Sequence, residues 1–180
     1  MVRQGFYHLL SPQMYLRSVF DLPIAYLRER GIRGLIFDLD NTLLYWNALE
    51  VTPEAKKLFH RLKRVGFSCC LVSNNKRGRV EVVADMMDLP AIYKARKPSR
   101  RAFRWALDTL GTAKNETAVI GDQLFTDVLG GNRFGLYTVL VMPLSKQEFI
   151  GTKVMRFFER IVLRRLIEKG LVEKLALEGR

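Results

Sequence analysis

The sequence predicts an α/β protein, built as a three-layer α/β/α sandwich around a parallel sheet. Short apolar runs alternate with longer helical segments from residue 34 onward, and the intervals between the runs are long enough for helical crossovers. Parallel strands require such crossovers, so this alternation is typical of doubly wound sheets. The length of 180 residues fits one domain with a sizeable core, and an apolar content of 48% excludes a disordered chain.

The individual elements follow from local patterns. Five apolar runs are predicted as strands: residues 35–38, 67–73, 91–93, 117–121 and 137–141. Helices are expected to begin near Pro53, Gly78, Pro98 and Thr126. Thr52 before Pro53 is a favourable N-cap and first-turn pair. Three glycines stand where helices should end: Gly66, Gly111 and Gly135.

The α/β core is predicted over residues 34–145, and both ends of the chain are expected to lie outside it. Residues 1–33 are interpreted as an N-terminal amphipathic extension that is interrupted by Pro23. Residues 146–180 are interpreted as a basic amphipathic C-terminal helix, because Arg156, Arg160 and Arg164 recur at a spacing of one helical turn. The sequence does not decide whether this helix packs on the core or lies at a membrane surface.

Polar and charged residues follow the predicted strands where each strand ends. Asp38 and Asp40 close the first strand, and alternation places both carboxylates on the same side of an extended backbone. Because the carboxyl ends of parallel strands meet at one edge of a sheet, the residues after the other strands are expected beside them. These residues are Thr42, Ser73, Asn74, Lys94, Lys97, Asp122 and Asp127.

This set of residue types is suited to phosphoryl transfer. Clustered carboxylates suit Mg²⁺, which shares its coordination shell with waters and a phosphate. One carboxylate can act as a nucleophile that forms an acyl-phosphate, and a second can protonate the leaving oxygen and then activate water. A lysine and small hydrogen-bond donors can hold the phosphoryl oxygens.

The order of these motifs resembles the haloacid dehalogenase (HAD) superfamily. DxDxT follows an apolar strand, and SN, KP and GDxxxxD come after it in that order. The segments GLIFDLDNTLL, VSNN, KARKP and GDQLFTDVLGGNRFG are most similar to its subfamily IIIA, the YqeG-type branch, which is related to the phosphatidylglycerophosphate phosphatases. The resemblance covers nearly the whole chain and implies a HAD-like fold and Mg²⁺-dependent phosphatase activity.

The resemblance also implies a role for each motif residue. Asp38 corresponds to the nucleophile and a metal ligand, and Asp40 to the general acid/base, whose backbone carbonyl also binds Mg²⁺. Lys97 corresponds to the lysine that steadies the nucleophile and the phosphate. Judged from the sequence without the resemblance, Lys94 could fill this role in place of Lys97. Thr42, Ser73 and Asn74 correspond to the phosphate-binding residues. Asp122 corresponds to a metal ligand, and Asp127 to a carboxylate that supports it.

Two intervals, Thr42 to Pro53 and Asn74 to Lys97, are too short for the inserted cap domain with which many members of this superfamily enclose small substrates. An open site suits a phosphate carried by something large, and the resemblance favours phosphatidylglycerophosphate as the substrate. Two alternatives stay open: a soluble phosphatase of nucleotides, sugar phosphates or phosphoproteins, and a basic nucleic-acid-binding accessory protein. The intact motif set argues against nucleic-acid binding, because a binding module does not need these carboxylates.

The net charge of +12 and a pI near 10.0 indicate an anionic partner. Nucleic acid, an anionic membrane surface and a phosphorylated substrate such as an anionic phospholipid all fit this charge, which does not choose among them. Cys69 and Cys70 are adjacent in a predicted strand, so they should point to opposite faces and remain free thiols in a reducing compartment. A cytoplasmic location is expected, with peripheral contact to the inner membrane face as an alternative, and the oligomeric state is left open.

Overall fold

The computed structural model describes residues 7–145 and 150–172. Within these residues six parallel strands form one sheet in the order β1-β6-β5-β2-β3-β4. Their bounds are Met14–Leu16 (β1), Gly34–Phe37 (β2), Ser68–Val72 (β3), Ala91–Ile92 (β4), Thr117–Gly121 (β5) and Tyr137–Val141 (β6). Because β2 lies between β5 and β3, the residue that follows it, Asp38, lies near the centre of the carboxyl edge of the sheet.

The helices have the bounds Ile24–Glu29 (α1), Pro53–Arg64 (α2), Arg77–Met87 (α3), Arg100–Leu110 (α4), Leu129–Phe134 (α5) and Ile150–Glu168 (α6). The predicted cap of α2 is confirmed, since the Thr52 hydroxyl accepts a hydrogen bond from the Ala55 N–H at 3.2 Å. Gly111 and Gly135 end α4 and α5 in the left-handed conformation, with φ of +65° and +86°.

Side chains of β2 point alternately into two apolar cores on opposite faces of the sheet. Leu35 and Phe37 pack with α1, α2 and α3 on one face, while Ile36 packs with α4 and α5 on the other. Cys69 and Cys70 follow the same alternation in β3, and both are buried free thiols. The predicted three-layer α/β/α architecture is therefore confirmed.

The bounds of the predicted elements differ from the structure by small amounts. β5 and β6 have the predicted bounds. β2 is shifted by one residue towards the N-terminus, β3 is shorter by one residue at each end, and β4 is shorter by one residue at its C-terminal end. α4 begins at Arg100 rather than near Pro98, because Ser99 is its N-cap and accepts a hydrogen bond from the Arg101 N–H. The helix expected from Thr126 is a π-helical turn over Leu124–Val128 that continues into α5.

The N-terminal region corrects one prediction. The sequence predicts that residues 1–33 form an amphipathic extension outside the sheet, and this is wrong for Met14–Leu16, which form the edge strand β1 parallel to β6. The Gln13 N–H donates to the Thr138 carbonyl, and the Gln13 side-chain oxygen accepts from the Thr138 N–H and hydroxyl. A three-residue strand is too short to show a strand period in sequence. Residues 1–6 lie outside the described residues.

One face of the C-terminal helix α6 packs on the core. Leu166 is fully buried in a cluster with Leu10, Leu124 and Leu140, which joins α6 to β6 and the π-helical turn. Residues 146–149 and 173–180 of the predicted C-terminal segment lie outside the described residues. Over residues 7–145 and 150–172, none of the helices has both the length and the apolar character needed to cross a bilayer.

Candidate active site

The carboxyl edge of the sheet brings the predicted acidic residues together. Asp38 follows β2 and Asp122 follows β5, and these two strands are neighbours in the sheet. The Asp38 N–H donates to the Ile120 carbonyl at 2.9 Å, which extends the pairing to the start of the acidic loop. Asp38, Asp122 and Asp127 are all buried, and one carboxylate oxygen from each lies within 4.8 Å of the others.

Lys97 joins two of these carboxylates. Its Nζ lies 2.5 Å from Asp38 Oδ1 and 2.6 Å from Asp127 Oδ1, and its side chain is almost fully buried. Burial by itself would lower the pKa of Lys97, but the carboxylates of Asp127 and Asp38 outweigh this effect and raise the pKa above its ordinary value. Lys97 is therefore a fixed positive charge beside Asp38.

The acidic cluster holds more negative charge than Lys97 can compensate. Burial raises the pKa of Asp38 well above its usual range; Lys97 opposes this shift, and the carboxylates of Asp127 and Asp122 add to it. Three buried carboxylates with oxygens this close fit a divalent cation, which prefers oxygen ligands and would relieve their repulsion.

Asp122 is the carboxylate in contact with the C-terminal helix. The Arg156 guanidinium of α6 donates to both the Asp122 carboxylate and the Asp122 carbonyl oxygen. Burial raises the pKa of Asp122 to about 6, while Arg156 acts in the opposite direction. Glu159, one turn along α6, accepts from Arg156 at 3.1 Å and from the Phe125 N–H at 3.1 Å. These contacts attach α6 directly to the acidic cluster.

Asp40 lies outside the three-carboxylate cluster. Its Oδ1 accepts from Arg79 Nη2 at 2.5 Å, and its Oδ2 accepts from Asn75 Nδ2 at 3.0 Å. Arg79 also donates to the Ala48 carbonyl, so it joins α3 to the loop that follows β2. The Asp40 carboxylate is therefore held at the side of the acidic loop that faces α3.

The three residues expected to bind phosphate lie at the same edge. The Thr42 hydroxyl donates to Asp122 Oδ1 at 3.1 Å, and Ser73 Oγ accepts from the Asn75 N–H at 3.1 Å. The Asn74 side chain accepts from the Lys97 N–H at 2.7 Å and donates to the Lys97 carbonyl at 3.3 Å. Thr42 and Asn74 thus position Asp122 and Lys97, and their contact with a phosphate stays a prediction.

Asp127 is held by a close approach to the last residue of β5. Its Oδ2 accepts from the Gln123 N–H at 3.2 Å, and its side chain lies directly over Gly121. A Cβ at Gly121 would overlap the Asp127 carboxyl group, so only glycine fits this position with Asp127 in place.

Neither of the two described intervals that could hold an inserted cap contains one. Between Leu43 and Thr52 the chain forms turns, irregular loop and a single β-bridge from Leu44 to Asp40. Between Ser73 and Lys97 it forms α3 and the short strand β4. A cavity of about 560 Å³ opens beside Asp122 between α6 and the end of β6. Its walls are mainly apolar and include Tyr15, Leu124, Leu140 and Met142, together with four charged side chains: Asp122, Arg156, Glu159 and Arg160.

Three residues with contacts in the site are not among the predicted site residues. Asn75 and Arg79 follow the SN motif directly, so their nearness in the chain was an available signal. Arg156 lies 34 residues beyond Asp122 and looks like Arg160 and Arg164 in the sequence. Only the packing of α6 distinguishes it from these two arginines.

Comparison with known proteins agrees with the geometry. Residues 7–95 match the family model of the mitochondrial phosphatidylglycerophosphate phosphatases, and residues 94–143 match that of the HAD-hydrolase-like proteins. The chain is 40% identical over 162 residues to "Probable phosphatase YqeG" of Bacillus subtilis, an alignment that covers 90% of this chain and 94% of that protein.

A plant relative and a solved structure extend the comparison. Phosphatidylglycerophosphate phosphatase 1, chloroplastic/mitochondrial, of Arabidopsis thaliana is 32% identical over 172 residues, which cover 89% of this chain and 49% of that protein. The magnesium-bound crystal structure of the HAD-hydrolase YfnB of Bacillus subtilis aligns with a TM-score of 0.54 at 14% identity, covering 73% of this chain and 98% of that one. This structural likeness supports the fold.

Proposed function

The chain belongs to the HAD-like phosphatases of the YqeG and phosphatidylglycerophosphate phosphatase type, and we propose that it hydrolyses the phosphomonoester of phosphatidylglycerophosphate to phosphatidylglycerol and phosphate. The chemical part of this proposal rests on one observation: Lys97 Nζ lies 2.5 Å from the Asp38 carboxylate and 2.6 Å from the Asp127 carboxylate. The Asp122 carboxylate belongs to the same cluster. The lipid substrate rests on the names of the relatives.

In the first step of the proposed reaction, Asp38 is the nucleophile. A carboxylate oxygen of Asp38 attacks the phosphorus atom, the bond between phosphorus and the ester oxygen breaks, and an aspartyl-phosphate forms. Lys97 holds the Asp38 carboxylate in place and offers its charge to the phosphoryl oxygens. Asp40 donates a proton to the leaving oxygen of the alcohol.

In the second step, Asp40 takes a proton from a water molecule. The water oxygen attacks the phosphorus of the aspartyl-phosphate, which releases inorganic phosphate and restores the Asp38 carboxylate. Ser73 is buried at the same edge and, with Thr42 and Asn74, is proposed to bind the phosphoryl oxygens. Asn74 also positions Lys97 through its two hydrogen bonds to the Lys97 backbone.

We propose Mg²⁺ as the metal of this site. Asp38, Asp122 and the backbone carbonyl of Asp40 would hold it, with Asp127 in support through Lys97 and the Gln123 N–H. When bound, the ion neutralises the carboxylates and the charge of the substrate phosphate. The buried position of the three carboxylates is the structural reason to expect that metal-free protein is inactive.

The open edge of the site suits a lipid substrate. A phosphate on a membrane lipid must reach Asp38 while its acyl chains remain in the bilayer, and no inserted domain lies between Leu43 and Lys97 to prevent this. The basic composition of the chain fits an anionic headgroup and peripheral contact with an anionic membrane.

A substrate panel with Mg²⁺ tests the proposed function. Phosphate release is measured from phosphatidylglycerophosphate in mixed detergent micelles and from soluble nucleotides, sugar phosphates and phosphopeptides. Asp38→Asn is the blank, and Asp108→Asn, at an exposed carboxylate of α4, is the matched control. We expect the lipid to be the preferred substrate; activity on soluble substrates alone would make the protein a soluble HAD phosphatase instead.

A further inference from the structure

We propose that the exposed apolar face of α6 is a docking surface for an anionic lipid bilayer. This inference extends the proposed function, because it supplies the surface on which a lipid phosphomonoester would be reached. We define the α6 face as Val154, Phe157, Phe158 and Ile161, with Met155 at its side. The relative exposures of these five side chains lie between 38% and 58%.

The α6 face has the spacing of a continuous helical stripe. Val154, Phe157, Phe158 and Ile161 stand at positions i, i+3, i+4 and i+7, so they project from the same side of the helix. The rings of Phe157 and Phe158 contact each other edge to face, with centroids 5.7 Å apart, at the centre of the stripe. The opposite side of the helix carries Glu159 and Leu166, which are buried on the core.

Leaving these side chains in water is unfavourable. Transfer of phenylalanine side chains out of water is favourable, so two adjacent exposed rings represent a free energy that a partner can recover. Large apolar side chains that are contiguous on a surface mark interaction sites more often than isolated ones do. The packing of Leu166 shows that α6 already buries its other face, so the exposed stripe is not needed for folding of the helix onto the core.

The charges around the stripe select an anionic partner. Arg160 and Arg164 flank it on one side, and Arg165 follows Ile161 at the end of the apolar stripe; all three are exposed. Among the described exposed residues of α6, the acidic member is Glu168. An apolar stripe edged by arginines is the arrangement of helices that lie in the plane of an anionic membrane, where the rings enter the headgroup region and the arginines contact lipid phosphates.

The helix that carries the α6 face contacts the active site through its opposite side. Arg156 lies one turn from Arg160 and contacts Asp122, and Arg156 and Arg160 both line the apolar cavity beside Asp122. Exposed apolar side chains also follow the carboxyl ends of two strands, Tyr45 and Leu49 after β2 and Met142 after β6. Docking through the α6 face together with these exposed side chains would bring the edge that carries Asp38 next to the bilayer.

Vesicle binding tests this inference without turnover. Cosedimentation is measured with phosphatidylcholine vesicles and with vesicles in which about a third of the lipid is phosphatidylglycerol, which carries no phosphomonoester. We expect Phe157→Gln/Phe158→Gln and Arg160→Gln/Arg164→Gln each to lower the partition coefficient on anionic vesicles at least about tenfold. The matched controls are Val82→Gln/Met86→Gln, an exposed apolar pair on α3, and Arg100→Gln/Arg104→Gln, an exposed arginine pair on α4.

The controls decide the outcome. Loss of binding in both α6 variants, with both controls at the wild-type level and unfolding midpoints unchanged, supports the α6 face. Equal loss in the two arginine variants would overturn it, because binding would then follow total charge. Wild-type binding by the phenylalanine variant would also overturn it. The inference would also be overturned if the wild-type protein were a dimer and Phe157→Gln/Phe158→Gln converted it to a monomer. The α6 face would then bind a second copy of the chain.

This experiment separates the inference from the proposed function. Hydrolysis of the lipid in micelles without vesicle binding would overturn the α6 face alone. Vesicle binding through α6, together with full lipid hydrolysis by Asp38→Asn, would overturn the proposed catalytic assignment alone.

Discussion

The Arg156 guanidinium on α6 forms an ion pair with the buried carboxylate of Asp122 and also donates to the Asp122 backbone carbonyl. The C-terminal helix therefore places a positive charge directly on a carboxylate expected to bind metal. A cation bound by Asp122 would compete with the Arg156 guanidinium for the charge of the same carboxylate. The relationship makes the position of α6 and the metal affinity of the site interdependent.

Removal of Arg156 should strengthen metal binding. We expect Arg156→Gln to bind Mg²⁺ about tenfold more tightly than wild type, because a competing positive charge beside Asp122 is lost. The measurement is a Mg²⁺ titration by calorimetry. Arg160→Gln removes the same charge one turn away and should change the affinity much less. Weaker binding by Arg156→Gln would instead mean that Arg156 holds Asp122 in the geometry that the metal requires.

Lys97 and Lys94 are distinguished by their surroundings. Lys97 is buried between Asp38 and Asp127, whereas Lys94 is exposed. We expect Lys97→Ala to lower kcat about a hundredfold or more, because the phosphoryl group loses its nearest fixed cation. Lys94→Ala should keep wild-type activity. Steady-state kinetics with p-nitrophenyl phosphate measures both, and a comparable loss in the two variants would assign a catalytic role to Lys94 as well.

Gly121 tests the position of Asp127. In Gly121→Ala the new methyl group overlaps the Asp127 carboxyl and must displace it from Lys97 and the Gln123 N–H. We expect kcat to fall about a hundredfold, as for other small displacements of a catalytic group. Gly78→Ala in α3 is the control, since a Cβ there meets open space and should stabilise the fold by about 0.5 kcal/mol. Full activity of Gly121→Ala would show that Asp127 is dispensable.

The buried charge of Asp38 should reduce the stability of metal-free protein. The pKa of Asp38 is raised above 3.8 by burial, so its ionisation costs folding free energy. The cost is absent below pH about 3.8, where the carboxyl is protonated in both states, and grows as the pH rises towards the folded pKa. In EDTA at pH 8, Asp38→Asn should therefore unfold at least about 2 °C above wild type, the shift that about 1 kcal/mol produces in a chain of this size.

The pH dependence provides the check on this prediction. The difference in unfolding midpoint should shrink as the pH falls towards 4, and Asp108→Asn at an exposed position should show no such trend. A metal-free Asp38→Asn that is less stable than wild type at pH 8 would show that the ion pair with Lys97 outweighs the cost of burial.

The sequence is sufficient to predict the fold and the location of the acidic cluster. Asp38 and Asp122 end strands whose apolar runs are long enough to recognise, and parallel pairing brings strand ends to one edge. Lys97 is part of the KP motif and Asp127 is part of the GDxxxxD motif, and the ion pair between them lies at the same edge of the sheet. These predictions succeed because each depends on strand order and chain direction rather than on side-chain packing.

The remaining features depend on contacts between segments far apart in the chain. The edge strand Met14–Leu16 is defined by its pairing with β6, and three residues carry too little pattern to show it. Arg156 differs from Arg160 and Arg164 only because the buried side of α6 aims it at Asp122. The hydrogen bond of Asn75 and the ion pair of Arg79 likewise arise from how α3 packs beside the acidic loop.

Direct detection of a phosphoryl group on Asp38 tests the central claim, that this carboxylate is the nucleophile of a phosphatase. Asp40→Asn is mixed with p-nitrophenyl phosphate and Mg²⁺, quenched in acid within one turnover, and digested, and the peptide containing residues 34–44 is analysed by mass spectrometry. Because this variant lacks the proposed general base, we predict that a peptide phosphorylated at Asp38 accumulates. The double variant Asp38→Asn/Asp40→Asn should give no phosphorylated peptide. A phosphoryl group on any other residue, or full phosphatase activity of the single variant Asp38→Asn, would contradict the claim.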